Sequence, residues 1–176
     1  MIPLDKKTAR RKGLESRAAI PEETRKEKDL LIQSRVIEKI RNRNVIGCYV
    51  SMNDEADTSL IREYCYENGK ILAVPKVTGK TLVFHRIESD EELKEGCFHV
   101  REPYKDRPVQ PEDIDFMIVP LSSFDSSNNR TGYGKGFYDS VLERCPYKAG
   151  IAYEEQRADH IEADPWDIPL DEIITA

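Results

Sequence analysis

Hydrophobic positions along this chain alternate between helical spacing and short continuous runs, and each switch marks an element. Residues 5–18 are polar and basic and read as a first helix, with Lys6, Lys7, Arg10, Arg11 and Arg17 spread over wide faces. A second helix is predicted from Pro21-Glu22-Glu23 to about Arg43. Proline suits a first helical turn, and two acids favour the positive end of the helix dipole. Its apolar positions Leu30, Leu31, Ile37 and Ile40 recur at roughly helical spacing. Val45-Ile46-Gly47-Cys48-Tyr49-Val50 is an apolar run of strand length, and residues 51–58 after it are polar and turn-like. Helical spacing resumes with Leu60, Ile61, Tyr64 and Cys65 and stops at Asn68-Gly69. Ile71-Leu72-Ala73-Val74 is a second buried strand, closed by Pro75. Strand, crossover helix and strand form a βαβ unit, which implies a parallel sheet.

Further along, residues 81–87 have strand character and 89–95 predict a short helix. The prolines and charges of 97–113 read as an irregular surface excursion. Ile114–Val119 restores a core strand ending at Pro120; a helix is expected over 136–144, another strand over 148–153, and the tail carries a last apolar pair, Ile173-Ile174. This alternation predicts the α/β class: a three-layer, Rossmann-like open sheet, mostly parallel, with helices on both faces. One domain is expected over residues 1–176, its basic N-terminal helices (5–43) packing on an α/β core (45–176). Ligands of such sheets bind beyond the carboxyl ends of the strands. That rule gathers three loops on one edge, at 51–57, 120–136 and 154–167.

With 176 residues and 39% hydrophobic content, the chain is long enough to bury one real core. The net charge of -6 argues against a general nucleic-acid binder. Its distribution is uneven. Residues 1–43 hold 13 Lys/Arg against 7 Asp/Glu, whereas the rest hold 14 against 26, so a basic head sits on an acidic body. Such a head either covers an anionic site or presents solvated helix faces. No apolar stretch approaches the roughly 18 residues of a membrane span. The charged N-terminus lacks the apolar region of a secretory signal. Cys48, Cys65, Cys97 and Cys145 are widely spaced and the three histidines scattered, which gives neither a disulfide framework nor a zinc site. Cys48 and Cys65 are expected as buried thiols. A reducing, cytoplasmic setting and a monomer are the expectation.

The densest chemistry lies in Asn129-Arg130-Thr131-Gly132-Tyr133-Gly134-Lys135-Gly136-Phe137-Tyr138-Asp139. Alternate glycines allow positive φ and close approach to a ligand. Backbone amides feeding a helix N-terminus make an anion site. Arg130 and Lys135 bracket it, and Asp139, one turn into the predicted helix, is within reach of a metal held on a phosphate. The pattern is not the GxxxxGK[ST] phosphate loop, nor the dinucleotide fingerprint, whose third glycine is replaced by Phe137. The plainer alternative is a glycine-rich turn with exposed charges.

Matching stretches elsewhere bear on that choice. They are Ile118-Val119-Pro120-Leu121 and Phe124-Asp125 before the loop, Tyr49-Val-Ser-Met-x-Asp-Glu-x-Asp-Thr58, Val74-Pro75-Lys76, Glu102-Pro103, Gly150-Ile-Ala-Tyr-Glu-x-Gln156, and Asp167 with Asp171. Together with Arg130-x-Gly-Tyr-Gly-Lys-Gly-Phe-Tyr-Asp139 they make the chain resemble the 5-formyltetrahydrofolate cyclo-ligase (methenyltetrahydrofolate synthetase) family, from the first helix to the last residues. The resemblance implies ATP- and Mg²⁺-dependent cyclisation of 5-formyltetrahydrofolate to 5,10-methenyltetrahydrofolate, with release of ADP and phosphate. It implies an ATP site on Arg130, Thr131, Gly132, Tyr133, Gly134, Lys135, Gly136, Phe137 and Tyr138. Arg130, Lys135 and Arg10 would bear the phosphoryl charge in catalysis. The metal carboxylates would be Asp139 and Asp167, and the folate site Val50, Glu55 and residues 133–137. It also implies a Lys–Arg pair four residues apart on one face of the first helix. Lys6/Arg10 and Lys7/Arg11 both fit, and the first better keeps the family's distance to Pro21. The partner is then a small folate, with or without a polyglutamate tail, and neither nucleic acid nor membrane. Asn128 stands where the family often has glycine, Thr131 replaces a common leucine, and Phe137 a frequent tyrosine. A non-catalytic folate or nucleotide binder, or an ATP-dependent enzyme acting on another small molecule, are the alternatives.

Overall fold

The structure, a computed structural model, describes residues 3–176. The helices are α1 (Lys6–Ala18), α2 (Glu22–Ile40), α3 (Ser59–Glu67) and the one-turn α4 (Asp139–Leu142). The strands are β1 (Val45–Cys48), β2 (Ile71–Thr78), β3 (Thr81–Ile87), β4 (Leu93–Glu95), β5 (Arg101–Pro103), β6 (Pro108–Val109), β7 (Phe116–Val119), β8 (Ser123–Phe124), β9 (Arg130–Thr131), β10 (Lys148–Ala152) and β11 (Glu172–Thr175). Seven of them form one sheet in the order β11-β10-β7-β1-β2-β3-β6. The five from β11 to β2 are parallel, and β3 and β6 extend the edge antiparallel. The chain enters at β1, steps to β2 on one side and later to β7 on the other. The strand order therefore switches between β1 and β7, where open α/β sheets bind ligands.

Burial alternates along β7 as a two-faced strand requires. Phe116 and Ile118 join Ile32, Val36, Ile40, Ile61 and Cys65 of α2 and α3 on one face. Met117 and Val119 join Val141 and Leu142 of α4 on the other. Mixed α/β architecture with a mostly parallel sheet in one domain is thus what the chain adopts. Helix α1 lies across the strand ends, against β8, β9 and the turn at Glu154–Gln156. A Cβ on Gly13 would sit 2.0 Å from the Ser122 carbonyl oxygen, so only glycine permits this approach.

Several expected elements differ. The buried face of α2 is Ile32, Gln33, Val36 and Ile40, while Leu30 and Leu31 are 59% and 50% exposed. Ile32, Val36 and Ile40 recur every four residues, and the two leucines lie off that line. The helix ends at Ile40, short of Arg43. The helix expected over 89–95 is a 3₁₀ turn at Asp90–Glu92 running into β4, which pairs with β5. The 97–113 excursion therefore contains β5 and the sheet-edge strand β6. The helix expected over 136–144 shrinks to α4, because Gly136 is left-handed (φ +68) and helical geometry cannot pass through it. Asp139 consequently opens that helix. The Ile173-Ile174 pair belongs to β11, the outer parallel strand.

Cys48 and Cys65 are buried, and burial pushes both thiols up to about 12, so they stay protonated. No helix among the described residues is long and apolar enough to cross a membrane.

Candidate active site

Each of the three edge loops is fixed by its own hydrogen bonds. After β1, Tyr49 Oη donates to the Ala56 carbonyl (2.6 Å) and Thr58 Oγ1 to the Tyr49 carbonyl (3.0 Å). The tyrosine-to-threonine stretch is thus stitched end to end, with Glu55 on its inner side. After β7, the buried Asp125 carboxylate accepts from the amides of Ser127 and Asn129 (3.0 Å each) and Ile161 (2.9 Å). Asn128 turns this corner with φ +62, a conformation asparagine tolerates. After β10, Gln156 Nε2 donates to the carbonyls of Leu121 (3.1 Å) and Ser122 (3.2 Å). The loops meet at the switch point.

They enclose two adjoining clefts. One, of about 390 Å³, is mainly apolar, lined by Tyr49, Val50, Val77, Leu82, Pro120 and Phe137 with Glu55 on its wall. The other, of about 270 Å³, is cationic, lined by Lys6, Arg10, Arg130 and Lys135 with Asp139 and Asp167. Tyr133, Lys135, Phe137 and Tyr138 line both, so the glycine loop is their common wall.

Within the cationic cleft, Arg130 is nearly buried, its side chain 8% exposed, and 3.8 Å from Asp139. Among the described residues its Nε has no hydrogen-bond partner. Burial holds the guanidinium pKa below its usual value, since a charge there has lost its water without gaining full pairing. The glycines divide the work. Gly134 (φ +84) and Gly136 (φ +68) take the left-handed turn. Gly132 leaves room for Arg130, whose Nη2 would lie 2.6 Å from a Cβ at that position. Arg10 Nε donates to the Gly132 carbonyl at 2.9 Å. Lys6 pairs with Asp164 (2.7 Å) and with Asp167. Lys7, about 100° further round the helix, is exposed and lines neither cleft. Among the expected nucleotide residues Lys7 is therefore the one set apart. Thr131 is brought to the cleft, but its hydroxyl turns inward to Ser122 (2.7 Å) and Ser123, so only its backbone faces a ligand. The Phe137 ring packs on Phe98 with centroids 6.3 Å apart, and Lys135 Nζ lies 5.2 Å from the Phe98 ring centre.

On the apolar side, Val50 is buried in the wall. Glu55 Oε1 accepts from the Met52 amide (3.0 Å) and Oε2 from Tyr133 Oη (2.9 Å). Burial raises the Glu55 pKa, and the Tyr133 hydrogen bond only partly offsets this. Arg17, Phe98 and Glu102 also line this cleft and were not among the expected site residues, although Glu102 stands in the matching stretch Glu102-Pro103. Phe98 reaches it from the excursion at 97–113, which carried no regular signal. For Arg17 a signal existed: Lys6, Arg10, Gly13 and Arg17 follow a 4-3-4 spacing, which is one helix face.

Comparison with known proteins bears on this geometry. The model of the 5-formyltetrahydrofolate cyclo-ligase family matches residues 4–176. The chain belongs to that family. A 5-formyltetrahydrofolate cyclo-ligase of Mus musculus is 29% identical over 174 residues, covering 89% of this chain and 86% of the relative. The solution structure of a 5,10-methenyltetrahydrofolate synthetase from Aquifex aeolicus superposes with a TM-score of 0.87 at 32% identity, over 97% of this chain and 89% of that one. A 5,10-methenyltetrahydrofolate synthetase from Mycoplasma pneumoniae gives 0.80 at 27% identity, over 97% and 98%. Family membership thus extends over the whole described fold, both clefts included.

Proposed function

We propose that this family member catalyses the ATP-dependent closure of 5-formyltetrahydrofolate to 5,10-methenyltetrahydrofolate, releasing ADP and phosphate. One observation carries the proposal: an apolar cleft and a cationic cleft share the glycine loop as a wall, so a flat folate and a triphosphate meet across it.

The chemistry needs that adjacency. An amide oxygen leaves poorly, so N10 of the folate cannot displace it from the formyl carbon directly. In the proposed sequence the formyl oxygen attacks the γ-phosphorus of ATP and the bond to the β-bridging oxygen breaks, releasing ADP. N10 then adds to the formyl carbon, its proton departs, and the carbon–oxygen bond breaks to release phosphate and leave the N5–C–N10 bridge. Catalysis of this kind is mainly positioning and charge stabilisation. Arg130 and Lys135 stabilise charge on the transferred phosphoryl group, Arg10 and Lys6 hold the polyphosphate, and the amides of 132–136 cradle it. The buried Arg130, whose Nε has no hydrogen-bond partner among the described residues, suits an anionic ligand in this cleft. Asp139 and Asp167 line the same cleft and supply hard oxygen ligands, as Mg²⁺ on a phosphate requires. That ion would offset charge on the β- and γ-phosphates. On the other side, Glu55 accepts hydrogen bonds from pterin N–H groups while Val50 and Phe137 pack the ring.

The test is to mix protein, 5-formyltetrahydrofolate, Mg²⁺ and ATP at neutral pH. The expected result is growth of the near-UV absorbance of the methenyl product, with one ADP released per product. No signal, or an equal one without ATP, would sink the proposal.

A further inference from the structure

The Tyr133 hydroxyl sits at the centre of a chain of hydrogen bonds joining three elements. Arg17 Nη1 donates to it at 2.8 Å, and it donates to Glu55 Oε2 at 2.9 Å. Arg17 is itself anchored, its Nε and Nη2 lying 3.0 and 2.9 Å from Asp54 Oδ1. Its guanidinium also lies 5.8 Å from the centre of the Tyr133 ring. The links run from α1 through Arg17, to the 49–58 loop through Asp54 and Glu55, and to the glycine loop through Tyr133.

Two consequences follow from this geometry. First, Glu55 accepts one bond on each oxygen, from Met52 and Tyr133, so its carboxylate plane is fixed and each oxygen retains a second acceptor position. A carboxylate held this way presents a two-pronged acceptor to a ligand carrying paired N–H donors. Second, the ends of α1 serve different clefts. Lys6 and Arg10, near its start, line the cationic cleft, whereas Arg17, at its end, lines the apolar one. Arg17 is almost wholly buried, and its network partners Tyr133 and Asp54 outweigh the effect of that burial and hold its pKa above the usual arginine value. It is therefore a permanent charge directed at a hydroxyl, and not a solvated cation.

We propose that Arg17 and the Tyr133 hydroxyl are positioning residues for the folate side of the reaction. They fix Glu55 across the apolar cleft. Arg17 acts through Tyr133, and Tyr133 through Glu55. The proposal rests on the reading that the apolar cleft takes the folate.

Equilibrium binding of 5-formyltetrahydrofolate without ATP tests it, in wild type, Tyr133→Phe, Glu55→Gln and the double variant. Tyr133→Phe removes one oxygen and leaves the ring, so the fold is kept. It is expected to weaken folate binding about 10- to 100-fold, the range for a lost hydrogen bond to a charged group. The KM for ATP should stay near the wild-type value. In the Glu55→Gln background the same change should have little further effect. Arg17→Met should weaken folate binding in the same way and not add to Tyr133→Phe; if it fails to fold, the Tyr133/Glu55 cycle decides alone. Unchanged folate binding in Tyr133→Phe, full additivity with Glu55→Gln, or an equal rise in both KM values would overturn the proposal. Should the wild-type chain bind no 5-formyltetrahydrofolate at all, the folate reading fails and this proposal with it.

Discussion

Arg130 precedes the first glycine of the loop and Lys135 lies between its last two, and the two cations stand in opposite environments. The first is buried and held beneath the ring of Tyr138, 5.7 Å from its centre; the second is exposed and lines both clefts. Lys135→Ala therefore removes charge from an exposed loop and breaks no core contact. Turnover is expected to fall by about 10²–10³-fold, the usual effect of deleting one preorganised electrostatic group. The thermal midpoint should stay at its wild-type value; surviving activity would show that the phosphate role is misassigned. Glu55 makes a second prediction at this scale. Burial lifts its pKa above the ordinary 4.5, while Tyr133, the Met52 amide and Arg17 pull it down and Asp54 adds to the rise. Folate binding that needs the ionised carboxylate is then lost as pH falls through a midpoint above 4.5. Tyr133→Phe deletes a lowering contribution, so the midpoint of the folate KM profile should move to higher pH. For stability the sign is opposite. The folded chain holds this proton more tightly than the unfolded one, so the Glu55 contribution declines as pH rises from 4.5 through the raised value.

Among the elements, α1 owes its place to one glycine. Alanine in mid-helix ordinarily gains about 1 kcal/mol over glycine. At position 13 the added methyl would meet the Ser122 carbonyl at 2.0 Å, an obstacle of backbone that cannot swing aside. Gly13→Ala should therefore lower stability by about 1–3 kcal/mol, as overpacking does. It should also raise the KM for both ligands, because Lys6, Arg10 and Arg17 leave together. Thermal melts and steady-state kinetics check this, and a more stable variant would contradict it. Helical character in residues 5–18 was legible from composition, and Asp5 caps its start by accepting from the Thr8 amide at 2.6 Å. Charge alone did not show which basic residues face the clefts, since six cations lie on wide faces of residues 5–18. The resemblance favoured Lys6/Arg10 over Lys7/Arg11, and the loop that α1 leans on adds Arg17 to that face.

For the molecule as a whole, the shared wall makes ligand binding a stability measurement. At 100 times its dissociation constant a ligand adds about 2.7 kcal/mol. In a domain of this size that corresponds to roughly 5–10 °C in the midpoint. A non-hydrolysable ATP analogue with Mg²⁺ and 5-formyltetrahydrofolate should each raise it, and the pair should raise it more than either. A midpoint that moves with neither ligand would count against both cleft assignments. The parallel core was legible at this scale because strand, helix and strand followed one another with little between them. Residues 81–87 were legible as a strand, though not that β3 runs antiparallel to β2. Strand β6 and the β4–β5 ribbon were not legible, for their residues carry no strong periodicity and pair only with strands already in place.

The α/β class, the three loops on one sheet edge, the glycine loop with its charges and the family resemblance could all be read along the chain. These depend on local periodicity, on loop chemistry and on residue types at short spacing, all of which a linear chain displays. Folding adds that α1 turns Arg17 into the apolar cleft, that Thr131 points away from the cationic one, that Gly132 makes room for Arg130, and that Arg17 is bonded to Tyr133 and Tyr133 to Glu55. Those facts join residues 78 and 116 positions apart. They follow from how α1 and two loops pack over the strand ends, and no local preference of the chain encodes them.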